Sequence, residues 1–230
     1  MAVKALKPVR TGGTTGVITQ KCAAITAFGA YVARVGNGTA KGAPTEDTED
    51  GIGFALEDTA KHTYDGFYDQ YDVMPVATGG IVNALVATVA DTNIVAGDFL
   101  EVIDVSSGSQ TNPCGVLAEA GTNAGETKTL TSVAQALEDV TLGSSSYTQT
   151  FTSISVGDTA ITGITHATMG LSIGDYILLR DADGNCQVNR VASLPDATTV
   201  GLLIPATVAC TGGGFTDYVH AIKQIKVRIL

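Results

Sequence analysis

Residues 73–89 read Val-Met-Pro-Val-Ala-Thr-Gly-Gly-Ile-Val-Asn-Ala-Leu-Val-Ala-Thr-Val, two aliphatic and β-branched runs on either side of Thr78-Gly79-Gly80. Such runs are typical of strands, and paired glycines are typical of turns. The same pattern continues to residue 142, where His, Cys and Arg are almost absent. This part of the chain therefore predicts β structure with a structural rather than a catalytic role. The predicted strands here are 73–77, 81–89, 99–105 and 127–141.

Length and composition allow one large β domain or two smaller ones. The chain has 230 residues and no Trp, and it is long enough to bury a core without disulfide bonds. Its four cysteines are scattered and fit no zinc spacing, so free buried thiols are favoured, although a Cys186–Cys210 disulfide stays open. No apolar run follows the basic N-terminus, and none approaches the ~18 residues of a membrane span. We therefore expect a protein made in the cytosol, with no membrane partner.

Charge is divided sharply along the chain. Residues 1–45 carry six basic residues and no carboxylate, whereas residues 46–216 carry 22 acidic and four basic residues, within a net charge of −10. Residues 217–230 are again basic. This division predicts that both termini contact a negative surface on another protein. The alternative is pairing within the protein itself, in which the basic ends lie against its acidic residues or against the acidic body of a neighbouring subunit. Nucleic acid is not expected, because the basic residues are spaced singly and lack aromatic stacking partners.

The positions of turns and strands predict three segments. Residues 1–16 contain Pro8 and the run Thr11-Gly12-Gly13-Thr14-Thr15-Gly16, so we predict an extended N-terminal arm there. Residues 17–143 plus 217–230 predict a compact barrel-like or sandwich β domain. Residues 144–216 predict a second small β-sandwich or barrel, inserted before the last strand. The fold class predicted from the sequence is therefore all-β.

The tetrapeptide Ala-Leu-Glu-Asp occurs twice, at residues 55–58 and 136–139. We interpret the two copies as related strand ends of one barrel, each with its Leu directed inward. The acidic pair that follows each Leu would discourage pairing between sheet edges.

Few residues suggest catalysis or metal binding. Residues 181–185, Asp-Ala-Asp-Gly-Asn, begin like a calcium loop, but the glycine is misplaced and Ala192 stands where a bidentate Glu is needed; a hairpin turn explains them better. His62, His166 and His220 are far apart in the sequence and lack acidic or nucleophilic neighbours. The acidic run at 46–50 is typical of a solvated loop. We predict no catalytic residue, no metal and no cofactor.

One aromatic cluster stands out. Tyr64, Phe67, Tyr68 and Tyr71 lie within eight residues and alternate with carboxylates. Their density favours an interface with an oligomer partner or another protein over an ordinary core corner, and stacking on a sugar also stays open.

Several stretches resemble the small capsid decoration proteins of tailed viruses, also called cement or head-stabilising proteins. The matching stretches are residues 72–82, 96–102, 120–121, 133–139 and the final strand 225–230. The resemblance covers about residues 1–142 and that final strand. In this family the second Ala-Leu-Glu-Asp strand is closely followed by the terminal strand, whereas here about 75 residues intervene. We interpret them as a domain inserted in a loop that tolerates insertion.

The resemblance implies a function, partners and a location. Such proteins assemble commonly as trimers on the outer face of an icosahedral capsid and stabilise the lattice of the major capsid protein. For this chain it implies a bacteriophage virion protein that is not an enzyme, with the major capsid protein and its own copies as partners. The N-terminal arm would order on binding, so the predicted capsid-binding residues are Lys4, Lys7, Arg10, Thr14 and Thr15.

Two other classes of function stay open. In one alternative the chain is a virion surface or fibre module, and residues 144–216 with the aromatic cluster bind a host glycan or receptor. The other is an enzyme such as a hydrolase with paired carboxylates, but no acid–base arrangement at a plausible spacing is visible.

Overall fold

The computed structural model describes residues 10–36, 38–42, 51–57, 66–87, 94–102, 115–119, 132–140, 148–151, 153–180, 186–207, 209–211 and 217–230. All regular secondary structure within these ranges is β-strand, which confirms the all-β fold class. The first part of the chain forms β1 (Arg10–Cys22), β2 (Thr26–Ala27), β3 (Tyr31–Gly36), β4 (Thr39–Gly42), β5 (Gly51–Ala55), β6 (Phe67–Tyr68), β7 (Val73–Val86), β8 (Phe99–Val102), β9 (Leu117–Glu119) and β10 (Ala134–Ala136). The rest forms β11 (Thr148–Phe151), β12 (Ser153–Ile154), β13 (Ala160–Thr162), β14 (Tyr176–Arg180), β15 (Cys186–Asp196), β16 (Thr199–Leu202), β17 (Cys210–Thr211) and β18 (Asp217–Ile229).

Strand pairing closes two circuits that share β7. In the first circuit, β1 pairs with β4, β4 with β3, β3 with β5, β5 with β7, and β7 again with β1. In the second circuit, β7 pairs with β9, β9 with β8, β8 with β10, β10 with β18, and β18 again with β7. A closed circuit leaves no open edge between its strands, as in a small barrel.

The two circuits enclose one continuous hydrophobic core. Alternate residues of β7, such as Met74 and Val76, point into it together with Cys22 of β1 and Phe54 of β5. Val227 of β18 enters the same core from the second circuit. Cys22 is a buried free thiol, as expected, whereas the side chains of Cys186 and Cys210 lie outside the described part.

The turn predicted at residues 78–80 is wrong, because β7 runs unbroken from Val73 to Val86. β1 pairs with β7 on both sides of the glycines, β5 pairs with the first half, and β18 pairs with the second half, from Ile81. Gly80 has φ = 95°, a conformation that other residues rarely adopt. Gly80 therefore lets the chain adopt this conformation without ending the strand.

Both copies of Ala-Leu-Glu-Asp end a strand in the same way, one in each circuit. Ala55 pairs with Val76, and the next N–H, of Leu56, donates to the Pro75 carbonyl. Ala136 pairs with Val227, and Leu137 N–H donates to the Lys226 carbonyl. Leu56 is buried as predicted, whereas Leu137 is half-buried.

Strand β18 joins the two circuits to the second lobe, which we define as residues 148–211. Its first part pairs with β11 and β14, and its second part pairs with β7 and β10. The second lobe has its own core of Ile154, Ile161, Ile164, Leu179, Val200 and neighbouring residues. The change from partners in the second lobe to partners in the two circuits therefore falls inside this strand, near Ile222, and not at residue 216, where we predicted the boundary.

A third hydrophobic cluster lies where the lobes meet. It joins Phe67 and Leu85 of the first lobe to Tyr176 and Leu178 of the second and to Ile222 of β18. The rings of Phe67 and Tyr176 pack edge to face with centroids 5.8 Å apart. The second lobe is thus attached by a strand and by packing.

The predicted N-terminal arm is partly a strand. Arg10, Gly12 and Gly16 pair with Val82, Ile81 and Gly79 of β7. The register shifts at each of these glycines, since bulges absorb the residues that do not match. We predicted an extended arm without regular structure here because of Pro8 and the run of Thr and Gly at 11–16. Residues 1–9 lie outside the described residues.

Candidate interaction surface

The structure separates the predicted aromatic cluster. Phe67 is 2% exposed and Tyr68 is fully buried, and the Tyr68 hydroxyl donates to the Leu56 carbonyl while its ring packs against Phe28. Tyr71 is 66% exposed. Phe67 and Tyr68 thus belong to the interior of this chain, and Tyr64 lies outside the described residues. Among the described members of the cluster, only Tyr71 has a ring that is exposed and accessible to a partner.

Tyr71 occupies the glycine position of a turn that recurs in the chain. In residues 95–98, 155–158 and 172–175, the Asp N–H donates to the carbonyl three residues earlier, and the Asp carboxylate accepts the N–H of that same earlier residue at 2.7–2.9 Å. The third residue of each turn is a glycine with φ between 91° and 109°. Residues 69–72 make the same two hydrogen bonds through Asp72, but their third residue is Tyr71, with φ = 76°.

The left-handed conformation of Tyr71 is unfavourable in itself. A residue with a Cβ loses about 1–2 kcal/mol there, whereas glycine does not. Tyr71 is the one non-glycine residue with positive φ in the described part of the chain. Strained residues of this kind persist where the surroundings hold them, and they concentrate at functional sites. The Asp72 carboxylate and the hydrogen bond from Tyr71 N–H to the Cys22 carbonyl, 2.8 Å, hold this one.

Tyr71 is part of an exposed, mostly apolar face of the sheet. Lys21 pairs with Val73, and Val17 lies four residues before Lys21 on β1, so the exposed side chains of Val17, Lys21 and Val73 lie on the same side of the sheet. Ala77, the partner of Val17, is buried. Val73 is 60% exposed and Val17 is 44% exposed. The Lys21 Nζ lies 5.1 Å from the Tyr71 ring centroid, within cation–π range. We call Val17, Lys21, Tyr71 and Val73 the Tyr71 face.

The predicted capsid-binding residues are not brought together into a described site. Arg10, Thr14 and Thr15 lie in β1, of which only the backbone is described over this stretch. Lys4 and Lys7 lie outside the described residues. Arg10 pairs with Val82, far along β7 from the Tyr71 face at Val73.

One basic residue of the C-terminal segment forms an ion pair within the chain. The Lys226 ammonium forms an ion pair with the Glu138 carboxylate, and Glu138 also accepts the Lys226 N–H at 3.2 Å. Both side chains are well exposed, so this pair adds little stability. The alternative of pairing within the protein therefore applies to Lys226.

The described titratable residues form no recognisable catalytic arrangement. The ring Nε2 of His166 lies 2.6 Å from the Asp196 carbonyl, His62 lies outside the described residues, and the His220 side chain is not described. Hydrogen bonds from the Thr198 N–H and the Thr199 hydroxyl lower the pKa of Asp196. Burial raises the pKa of the Tyr31 phenol.

The described ranges contain no group of three His, Cys, Asp or Glu residues that could hold a metal ion. Residues 181–185, the rejected calcium loop, are not described, but Arg180 and Cys186 at its two ends pair as an antiparallel hairpin. The described residues also include no helix long and apolar enough to cross a membrane.

Comparison with known proteins gives no relationship: no protein-family model matches the chain, and no curated protein matches it. Tyr71 was predicted from the sequence as an interface residue, but the rest of its face was not. Val17 and Val73 look like ordinary strand residues, and only their pairing shows that they lie outside. The signal available in the sequence was the Asp at the fourth position of 69–72, which aligns that turn with the three Gly-Asp turns.

Proposed function

We propose that this protein is a structural component of the virion of a tailed virus. It binds the outer surface of the icosahedral capsid as an oligomer and stabilises the lattice of the major capsid protein, and it is not an enzyme. The family resemblance supplies the class of function. The structure contributes support through the placement of the residues that carry the resemblance.

The observation that carries the proposal is that four of the five stretches of the resemblance, far apart in the sequence, contribute strands to one circuit; residues 120–121 lie outside the described residues. Residues 72–82, 96–102, 133–139 and 225–230 contribute to β7, β8, β10 and β18. β8 pairs with β10, β10 pairs with β18, and β18 pairs with β7. Their adjacency supports a shared structural unit as the source of the resemblance.

The second lobe fits the proposal as an inserted module. It lies between two strands of the same circuit, β10 and the end of β18, and it has its own core. Its removal from the sequence would leave β10 followed by its partner strand, the arrangement that the resemblance implies. In this proposal, residues 148–211 add a rigid module to a decoration protein.

Stabilisation of a capsid by such a protein depends on many weak contacts. Each copy would bind neighbouring capsid subunits, so rupture of the shell requires several contacts to break together. Residues 1–9, with Lys4 and Lys7, lead into β1 and supply a basic segment that could pair with an exposed strand of a neighbour. An acidic capsid surface would attract this segment.

The test is binding to purified, expanded capsids of a tailed virus that lack their own decoration protein. We expect the protein to sediment with these capsids and to raise the temperature at which they rupture, measured by light scattering. A variant with Lys4→Glu and Lys7→Glu should bind more weakly, whereas Lys226→Glu is the matched control, since Lys226 already pairs with Glu138. Absence of binding to every such capsid would refute the proposed function. Binding to a host glycan through the second lobe instead would favour the fibre-module alternative.

A further inference from the structure

Three side chains with metal-binding atoms meet inside the first circuit, where β1 ends and β7 begins. Gln20 pairs with Met74, and Cys22 follows two residues later on β1, so all three project from the same side of the sheet. Cys22 and Met74 are fully buried, and Gln20 is 8% exposed. The Cys22 Sγ lies 3.7 Å from the Met74 Sδ. We call Gln20, Cys22 and Met74 the Cys22 cluster.

Gln20 brings an oxygen into this cluster that the fold does not satisfy. Its Oε1 is buried and has no hydrogen-bond partner among the described residues. A buried acceptor without a donor weakens the folded state, and such groups are rare in native proteins. The surrounding core is built of hydrophobic residues. A ligand that accepts electron pairs from oxygen and sulfur would account for the position of this amide.

The two sulfur atoms are suitably spaced for a single metal ion. With metal–sulfur distances of about 2.3 Å, two sulfurs 3.7 Å apart subtend an angle of about 107° at the metal. An angle close to tetrahedral leaves room for a third ligand. The Gln20 Oε1, directed into the same space from the position opposite Met74, is the polar atom available for it.

Ligand softness and charge select the ion. Thiolate and thioether sulfur prefer Cu(I). Cys22 binds a metal as the thiolate, so the cluster supplies one negative charge, and a monovalent ion makes the site neutral. A divalent ion would leave a net positive charge in the core, which is costly because the cluster contains no carboxylate. Cu(I) therefore fits this cluster better than Zn²⁺ does.

We propose that Gln20, Cys22 and Met74 form a binding site for one Cu(I) ion. The Cys22 thiolate and the Met74 thioether bind the ion, and the Gln20 Oε1 completes the coordination. The Cys22 S–H bond breaks, its proton goes to solvent and a Cu–S bond forms. Copper enters as Cu(I), so no electron is transferred. The site goes beyond the proposed function and does not depend on it.

The turn at residues 69–72 provides the route of entry. Cys22 is the last residue of β1, and its N–H donates to the Asp72 carbonyl while its carbonyl accepts the Tyr71 N–H. Tyr71 holds the left-handed conformation that is unfavourable for a residue with a Cβ. The cover of the cluster is therefore a strained turn, and its local opening admits the ion without unfolding of the circuit.

The sequence predicted no metal because we searched for the spacing of Cys and His ligands. The Cys22 cluster contains one Cys and no His or carboxylate. Its two sulfur ligands are 52 residues apart and come together only through the pairing of β1 with β7.

The experiment is an anaerobic titration of the reduced full chain with Cu(I), in competition with a chelator of known Cu(I) affinity. The three other cysteines of the chain can also bind Cu(I), so the site is measured as a difference between variants. We expect Cys22→Ala to bind one ion fewer than the wild type. Met74→Leu should bind that ion at least ~10-fold more weakly, the lower limit for loss of a partner outside the ligand set. Met169→Leu is the matched control, since Met169 is fully buried in the core of the second lobe.

Two further measurements separate a metal site from ordinary core packing. Cu(I) should raise the Tm of the wild type, because the assembled ligands exist only in the folded state, and the rise should be smaller in Gln20→Leu. X-ray absorption of the wild type with one equivalent of Cu(I) should show two sulfur ligands and one oxygen. This spectrum needs no variant and is independent of any loss of folding.

Three results would overturn the inference. The first is the same number of bound ions in the wild type and Cys22→Ala. The second is equal Cu(I) affinity in Met74→Leu and Met169→Leu, which would show that Met74 only packs in the core. The third is coordination by sulfur alone, which would assign the ion to the other cysteines.

Discussion

The Tyr176 hydroxyl donates a hydrogen bond of 3.1 Å to the Gly66 carbonyl, across 110 residues of sequence. Tyr176 begins β14 in the second lobe, and Gly66 precedes β6 in the first. The bond is buried, and it lies beside the edge-to-face contact of Tyr176 with Phe67. Together with the continuous strand β18, this contact attaches the second lobe directly to the first.

Removal of this hydroxyl should weaken the junction. In Tyr176→Phe the Gly66 carbonyl loses its buried donor, and we expect the free energy of unfolding to fall by about 1–2 kcal/mol. Tyr176→Ala also leaves a cavity, and it should lower the same free energy by about 3–5 kcal/mol. Urea unfolding followed by circular dichroism measures both changes.

The same junction predicts that both lobes unfold together. Hydrogen exchange of amides in β3 and in β15 should show one common opening free energy in the wild type. Tyr176→Ala should separate the two values. If the wild type already shows two transitions, the lobes are independent and the junction contributes little.

Local patterns allowed some strands to be predicted closely. The start of β8 at Phe99 was predicted as observed, because the segment follows the Gly-Asp pair at 97–98. The all-β class followed from the same signals. Predictions were wrong where pairing between residues far apart in the sequence determines where a strand begins and ends. The glycines at 79 and 80 look like a turn, but β1 and β18 pair with β7 on both sides of them.

The candidate surface could be predicted only in part for the same reason. Phe67, Tyr68 and Tyr71 are chemically similar neighbours, and the sequence does not show which of them face the core. Burial of Phe67 depends on the second lobe, whose residue Tyr176 is more than 100 residues away. Exposure of Val17 and Val73 depends on the register of β1 against β7.

Gly53 should be among the least replaceable residues. It has φ = 147°, and a Cβ there would lie 1.9 Å from the Ala77 carbonyl oxygen in the neighbouring strand. Because the obstacle is backbone of the shared strand β7, Gly53→Ala should lower the free energy of unfolding by more than ~3 kcal/mol. Thermal unfolding by circular dichroism measures this.

Gly157→Ala is the matched control for Gly53→Ala. Gly157 also has positive φ, 93°, but nothing lies within 4 Å of the Cβ position. Only the backbone penalty applies, and we expect a loss of about 1–2 kcal/mol. Equal effects of the two substitutions would show that the β5–β7 contact is looser than the structure indicates.

The stability of the hairpin at Asp196 should depend on pH in the acidic range. Its carboxylate accepts hydrogen bonds from the Thr198 N–H and the Thr198 and Thr199 hydroxyls, which hold its pKa below the ordinary value. A carboxyl with a lowered folded-state pKa contributes stability above its unfolded pKa of about 3.9, and this contribution is lost as the pH falls through the folded pKa. NMR titration of the Asp196 carboxyl should give a midpoint below that of an ordinary Asp. Thr199→Val should raise the midpoint, and an unchanged midpoint would show that the hydroxyl does not contribute.

Two truncations distinguish anchoring from folding at the N-terminus. Deletion of residues 1–9 should weaken binding to capsids and leave the Tm unchanged, because the described pairing of β1 begins at Arg10. Deletion of residues 1–16 also removes the pairing of Arg10, Gly12 and Gly16 with β7, so the Tm should fall by several degrees, given ~2–4 °C per kcal/mol in a chain of this size. Capsid sedimentation and thermal unfolding, measured on the same preparations, check both expectations. Full capsid binding after deletion of residues 1–9 would show that the basic segment is not the anchor, and would direct the search for the anchor to the described surface.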